Sequence, residues 1–189
     1  WKMTNAMPSW SFRGFEGRDA YVEVYARAAE VELLLNGKTV GRKPFKDDCL
    51  FVFHVPYENG TLEAISYDAD GKEIGRDCLT TAGTDTMLQA VPEEEKVQAG
   101  HLAFIRLKIT DPEGITKVTE RGLIHVSVEN GQLVALGSAC PYYERSYLDD
   151  TCDTYYGEAL AIVEAGDEGT VTLTAKSDFG DAVAELAID

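Results

Sequence analysis

No run of this 189-residue chain approaches the ~18 consecutive apolar residues of a membrane-spanning helix, and no basic-then-apolar leader opens it. Positive charge is also scarce. Seventeen Lys and Arg stand against 33 Asp and Glu, a formal net charge of −16. Binding to phosphates needs a basic patch, so the balance argues against nucleic acid, and an anionic membrane is disfavoured by the same repulsion. There are three His and four Cys, the latter at positions 49, 78, 140 and 152, with no C-x-x-C pair and no His at ligand spacing, so no zinc site is expected. A chain this long does not depend on disulfide staples. Free thiols in a reducing compartment are expected, hence a cytoplasmic rather than a secreted location. Phosphate-cradling glycine loops are missing as well: neither G-x-x-x-x-G-K nor G-x-G-x-x-G occurs. His54, His101 and His125 are far apart, each in or beside a strand, and make no acid–base pair with a nucleophilic Ser or Cys. Asp149, Asp150 and Asp153 lack the spaced pattern of a calcium loop. No catalytic residue, cofactor or metal is therefore assigned.

Amphipathic helices are absent too; the best candidate, Glu93–Ala99, is too short and too polar. What remains is strand signal. Val22, Val24 and Ala26 alternate with Tyr21, Glu23 and Tyr25, the period of a strand with one wet face. Val31, Leu33 and Leu35 do the same. Asn36-Gly37 then offers the two positive-φ residues of a type I′ hairpin turn, and Lys38, Thr39 and Val40 return. Leu50–Val55, Thr61–Tyr67 and Glu73–Thr80 follow. Asn59-Gly60 stands between the first two and Asp70-Gly71 between the last two.

The rhythm restarts after Thr86. The strands read there are Met87–Val91, Leu102–Thr110, Leu123–Val128, Leu133–Leu136, Ala159–Val163, Thr170–Lys176 and Ala182–Ile188, with turns at Asn130-Gly131 and Gly180-Asp181. Short strands spaced by Gly, Asn and Asp predict an all-β protein of two tandem immunoglobulin-like β-sandwich domains. Their spans are 1–85 and 86–189, joined near Ala82–Thr86. Charge steps at the same place. Residues 1–85 hold 10 basic and 14 acidic residues, and residues 86–189 hold seven and 19.

Three segments carry a resemblance. VELLLNGKTVGR, Val31–Arg42, is similar to V-E-L-F-L-N-G-K-S-L-G-R of the accessory domains that follow the catalytic barrel in family 2 glycoside hydrolases of β-galactosidase type. MPSWSFRGFEG, Met7–Gly17, resembles that family's P-H-W-N-W-x-G-x-E-G: Pro8, Trp10, Gly14, Glu16 and Gly17 match, while Ser9 stands for His and Phe12 for Trp. TYYGEALAIV, Thr154–Val163, resembles T-Y-Y-G-R-A-L-A-V-V, with Glu158 in place of Arg. The resemblance implies a non-catalytic C-terminal piece of such an enzyme, which braces the barrel or mediates domain and subunit contacts. A catalytic carboxylate pair would lie upstream of Trp1. A first residue that is not Met also points to a chain cut from something longer. The residues agree, since a glycosidase barrel takes ~250 residues with alternating helices.

The partners implied are the upstream catalytic barrel of the same polypeptide, a sister subunit, or carbohydrate. Ser138–Gly157 lacks strand periodicity and is rich in Tyr. Tyr142, Tyr143 and Tyr147 are candidates for contact with carbohydrate or with another protein surface, because a tyrosine offers a flat apolar face with a polar tip. Trp10, beside Phe12 and Phe15, is a fourth candidate. Two other readings stay open at this point: a carbohydrate-binding module, and immunoglobulin-like repeats of a bacterial surface adhesin.

Overall fold

The computed structural model describes residues 4–46, 48–142 and 145–189. It is all-β, with no helix among the described residues. The chain divides into two compact units, Trp1–Thr81 and Ala82–Asp189, each around its own apolar core.

The first unit runs β1 (Asp19–Tyr25), β2 (Glu30–Leu35), β3 (Lys38–Pro44), β4 (Leu50–Pro56), β5 (Thr61–Tyr67) and β6 (Glu73–Thr80). β1 and β4 pair antiparallel as one sheet, and β3-β2-β5-β6 form the other. Alternation decides which side chains go inside. Val31, Leu33 and Leu35 from β2 meet Phe51, Phe53 and Val55 from β4, all nearly inaccessible to water. Burying each such side chain stabilises the fold by about 1.5–3 kcal/mol. The turn between β2 and β3 is the expected type I′, with Asn36 at φ 51° and Gly37 at φ 75°. Asn36 also ties that turn to the β4–β5 connection. Its Oδ1 accepts the Thr61 N–H at 2.9 Å and its Nδ2 donates to the Asn59 carbonyl at 3.1 Å. Further along β3, a Cβ on Gly41 would stand 2.8 Å from the Phe53 ring, so this strand approaches β4 only because residue 41 has no side chain.

The second unit adds β7 (Met87–Pro92), β8 (Lys96–Val97), β9 (Leu102–Thr110), β10 (Leu123–Glu129), β11 (Gly131–Gly137), β12 (Thr151–Asp153), β13 (Glu158–Ala165), β14 (Gly169–Ser177) and β15 (Gly180–Ile188). The sheets are β11-β13-β9-β7 and β12-β10-β14-β15-β8. Ile105, Leu107, Leu136, Ala161 and Val163 of the first pack against Ile124, Leu173, Val171 and Leu186 of the second.

Three local readings gain detail. Asn130-Gly131 turns the chain from one sheet to the other, since β10 and β11 belong to different sheets. Asn130 takes φ 53° and its Nδ2 clasps the carbonyls of Glu168 and Thr170, at 2.7 and 3.1 Å. The β14–β15 turn falls at Asp178-Phe179, two residues before Gly180-Asp181. Within Glu93–Ala99, Lys96 and Val97 form β8, parallel to β15.

Candidate functional site

Each of the three motif segments has a structural task. In the first, Trp10 is 3% exposed and packs in the core of the first sandwich. Its ring lies 4.9 Å from that of Tyr57, and its indole N–H donates to the Glu58 carbonyl at 2.9 Å. The Tyr57 hydroxyl accepts the Phe12 N–H at 3.0 Å, and the Thr81 hydroxyl donates to the Trp10 carbonyl at 2.7 Å. The segment before β1 is thus stitched to the β4–β5 connection and to Thr81 at the end of its own unit. Trp10 is almost wholly covered, and its one donor is used internally. Gly14 and Gly17 take φ 90° and 80°, and Glu16 holds the bend between them through Gly14 N–H (2.9 Å) and Asn59 Nδ2 (2.8 Å). Its own backbone N–H, then Asn59, keep the Glu16 carboxyl below its ordinary pKa.

In the hairpin motif, Arg42 pairs with Glu30 at 2.7 Å and lies 4.6 Å over the Tyr67 ring. The Tyr67 hydroxyl in turn donates to Glu32 at 2.9 Å. Hydrogen bonds from Thr39 and Tyr67 lower the Glu32 pKa. This network joins β2, β3 and β5 on the outside of the sheet.

In the third motif the Thr154 hydroxyl accepts the Gly122 N–H at 3.0 Å while the Thr154 N–H donates to the Gly122 carbonyl at 3.0 Å. Tyr156 (φ 51°) and Gly157 (φ 74°) then make a tight turn closed by the mutual backbone bonds of Tyr155 and Glu158. Positive φ at both central residues is type I′ geometry, unusual with an aromatic at the first. Gly157 is required there, since a Cβ would stand 2.7 Å from the Lys117 carbonyl oxygen. The rings of Tyr155 and Tyr156 are 4.3 Å apart, and a hydrogen bond to the Tyr156 side chain raises the Tyr155 pKa. Tyr155 is half-buried, whereas Tyr156, at positive φ, is exposed.

Within the Tyr-rich segment, Tyr142 is 87% exposed and Leu148 83%, on an irregular stretch that leads into β12. Tyr147 folds back. Its carbonyl accepts the Leu136 N–H at 2.8 Å, and a Cβ placed on Gly137 would fall onto its ring. Tyr143 lies outside the described residues. Asp149 accepts the Ser146 N–H at 3.2 Å and Asp153 meets Arg145 Nε at 3.1 Å. Among the described residues no group of three His, Cys, Asp or Glu side chains is gathered as metal ligands.

Two further features were not legible in sequence. Asp111, 1% exposed, accepts the N–H groups of Gly83 and Ile115, both at 2.7 Å. Lys117 Nζ donates to the Thr84 carbonyl (2.8 Å) and the Thr86 hydroxyl (2.7 Å). These two side chains hold residues 83–86 onto the second unit. Burial alone would raise the Asp111 pKa. The N–H groups of Gly83, Ile115 and Glu113, with the Lys117 charge, outweigh it and the pKa is lowered. In the first unit a cavity of about 490 Å³ opens between β1 and β6, over Val22, Val24, Leu33, Leu62 and Ala64. Among the described residues its acids are Glu23 and Asp77, on strands of different sheets.

Known proteins match this architecture along most of its length. A family described as a domain of unknown function (DUF4982) covers residues 17–75. The family of glycoside hydrolase family 2 C-terminal domain 5 covers residues 88–182. Beta-galactosidase BoGH2A of Bacteroides ovatus is 26% identical over 182 residues, which is 94% of this chain and 21% of that protein. A glycosyl hydrolase family 2 member from Bacteroides cellulosilyticus superposes with a TM-score of 0.88 at 29% identity, over 95% of this chain and 26% of that one. A beta-glycosidase from Bacteroides vulgatus shares the fold, with a TM-score of 0.85 at 24% identity over 96% of this chain and 24% of its own. The chain thus spans about a fifth to a quarter of the length of these relatives. It belongs to glycoside hydrolase family 2, of whose enzymes it corresponds to a small C-terminal part.

Proposed function

We propose that this chain is a non-catalytic accessory region of a bacterial family 2 glycoside hydrolase of β-galactosidase type, and that it braces the catalytic barrel of the same polypeptide. The observation that carries this reading is the C-terminal domain match over residues 88–182, in a chain that spans only 21% of BoGH2A. The geometry supports it. Three residues of the matching motifs serve the fold: Trp10 in a core, Glu16 on a bend, Thr154 on a backbone clasp. The charged groups of the second unit that are most buried, Asp111 and Lys117, hold backbone and a hydroxyl.

The test is on the enzyme encoded by the complete reading frame, with and without residues 4–189. Without them, hydrolysis of aryl β-galactosides is expected to persist initially, while the half-life of activity at elevated temperature shortens by ten-fold or more. A shortened enzyme with an unchanged half-life would remove the bracing role.

A further inference from the structure

The two outer faces of the second sandwich differ in chemistry. On the β12-β10-β14-β15-β8 sheet the outward positions of β14 are Thr170, Thr172, Thr174 and Lys176, and those of β10 include His125, Ser127 and Glu129. Leu123 and Val183 are exposed there as single apolar side chains among polar ones, the ordinary wet side of an antiparallel sheet. On the β11-β13-β9-β7 sheet the registers bring Ala135, Ile162 and Phe104 side by side, and in the next row Leu160, Arg106 and Val91. Leu102 (49% exposed), Phe104 (40%) and Val91 (41%) stand in water. Tyr147 extends the apolar surface, since its ring lies where a Gly137 side chain would point, on the same face as Leu160. Four of the charges there form pairs, Arg106 with Glu93 at 2.9 Å and Lys108 with Glu158 at 3.4 Å, and Glu164, in register with Leu102, adds an exposed acid. An apolar patch with most of its charges paired is the surface of an interface.

We infer that this face docks on the remaining, catalytic part of the same enzyme, an inference that rests on the accessory-region reading. Chain length and charge favour that occupant. Relatives have three to four times this length of further chain, as the 21% and 26% coverages show. A second copy would bring its own seven basic and 19 acidic residues over 86–189, and two such bodies repel. The face itself presents apolar side chains, two ion pairs and the exposed Glu164, so the matching surface is one that is apolar and free of net negative charge.

Hydroxyl-radical footprinting, which labels exposed Met and aromatic side chains, reads this without relying on activity. The probe is applied to the isolated chain and to the protein of the complete reading frame. Met87 and Phe104 should lose at least five-fold of their labelling in the longer protein, while Tyr25, on the first unit, serves as the reference for equal dose. Equal labelling in both proteins overturns the inference. So does an isolated chain that sediments as a dimer with Phe104 protected, which would make a second copy the occupant. Protection of Met87 and Phe104 in a longer protein that hydrolyses no glycoside would leave the docking face standing and remove the enzyme reading. A Leu102→Ser/Phe104→Ser variant of the longer protein should expose Met87 to labelling again; continued protection of Met87 would place the contact elsewhere and overturn the inference.

Discussion

Two glycines share one backbone conformation and differ only in what surrounds them, which allows a sharp prediction. Gly37 has φ 75° and Gly157 has φ 74°. Around a Cβ on Gly37 there is nothing within 4 Å. A Cβ on Gly157 would stand 2.7 Å from the Lys117 carbonyl oxygen and 3.1 Å from Thr116 Cγ2. Left-handed backbone costs an alanine roughly 1 kcal/mol at either site. Gly157→Ala adds the displacement of a backbone carbonyl, on the scale of overpacking, about 1–3 kcal/mol. The expected losses are therefore about 1 kcal/mol for Gly37→Ala and about 2–4 kcal/mol for Gly157→Ala. For units of this size each kcal/mol moves Tm by roughly 4–8 °C. Denaturant titration followed by hydrogen exchange assigns each loss to its own unit: Gly37→Ala to the first, Gly157→Ala to the second. Equal losses at the two sites would refute the argument, because the backbone term alone would then account for both.

Three other side chains have outcomes of their own. Trp10→Phe keeps an aromatic in the core but removes the donor to Glu58 and part of the ring, so the first unit should lose about 1–3 kcal/mol in a urea titration, with the second unit unaffected. Asp111 has a folded pKa below its unfolded one, so its contribution is fully present above the unfolded value and is lost as pH falls below about 4; Asp111→Asn should lower the second unit's stability at pH 7 and flatten its loss between pH 5 and 2. Tyr142→Ser, at a side chain that is 87% exposed, should leave the melting curve of the chain within about 0.5 kcal/mol of the parent; a larger loss would make Tyr142 a packing residue.

Strand positions were legible because alternation is a local signal. β5, β6 and β9 follow the expected bounds to the residue, and Asn36-Gly37 forms the turn its two residue types demand. Pairing was less legible, since a period of two says which side chains share a face but not which neighbour a strand takes. Asn130-Gly131 has the composition of a hairpin turn, yet the sheet changes there, a choice made by the cores on either side. β8 and β12, of two and three residues, are too short to show a period. The Tyr156-Gly157 turn was hidden because tyrosine is not a residue that signals positive φ.

Of the candidate site, Trp10 was visible as an aromatic, but an indole in a core and one on a sugar platform look alike in sequence; only the Glu58 and Tyr57 contacts separate them. Tyr142 and Tyr147 were singled out by their number and their irregular setting, and the exposure of Tyr142 is a tertiary fact. The apolar face of β9 did leave a trace. Leu102 and Phe104 sit at the outward positions of a strand whose later outward residues, Arg106 and Lys108, are charged. The Asp111–Lys117 clasp left none, because Gly83, Thr84 and Thr86, which it holds, lie 28 to 33 residues away.

The central claim is that the hydrolytic chemistry of the enzyme lies outside these residues. It is tested most directly by assaying the purified 189-residue chain on aryl β-galactosides beside the protein of the complete reading frame. The account predicts turnover by the longer protein and none by the chain above the buffer rate. Hydrolysis that stays with the chain through repeated purification would contradict it.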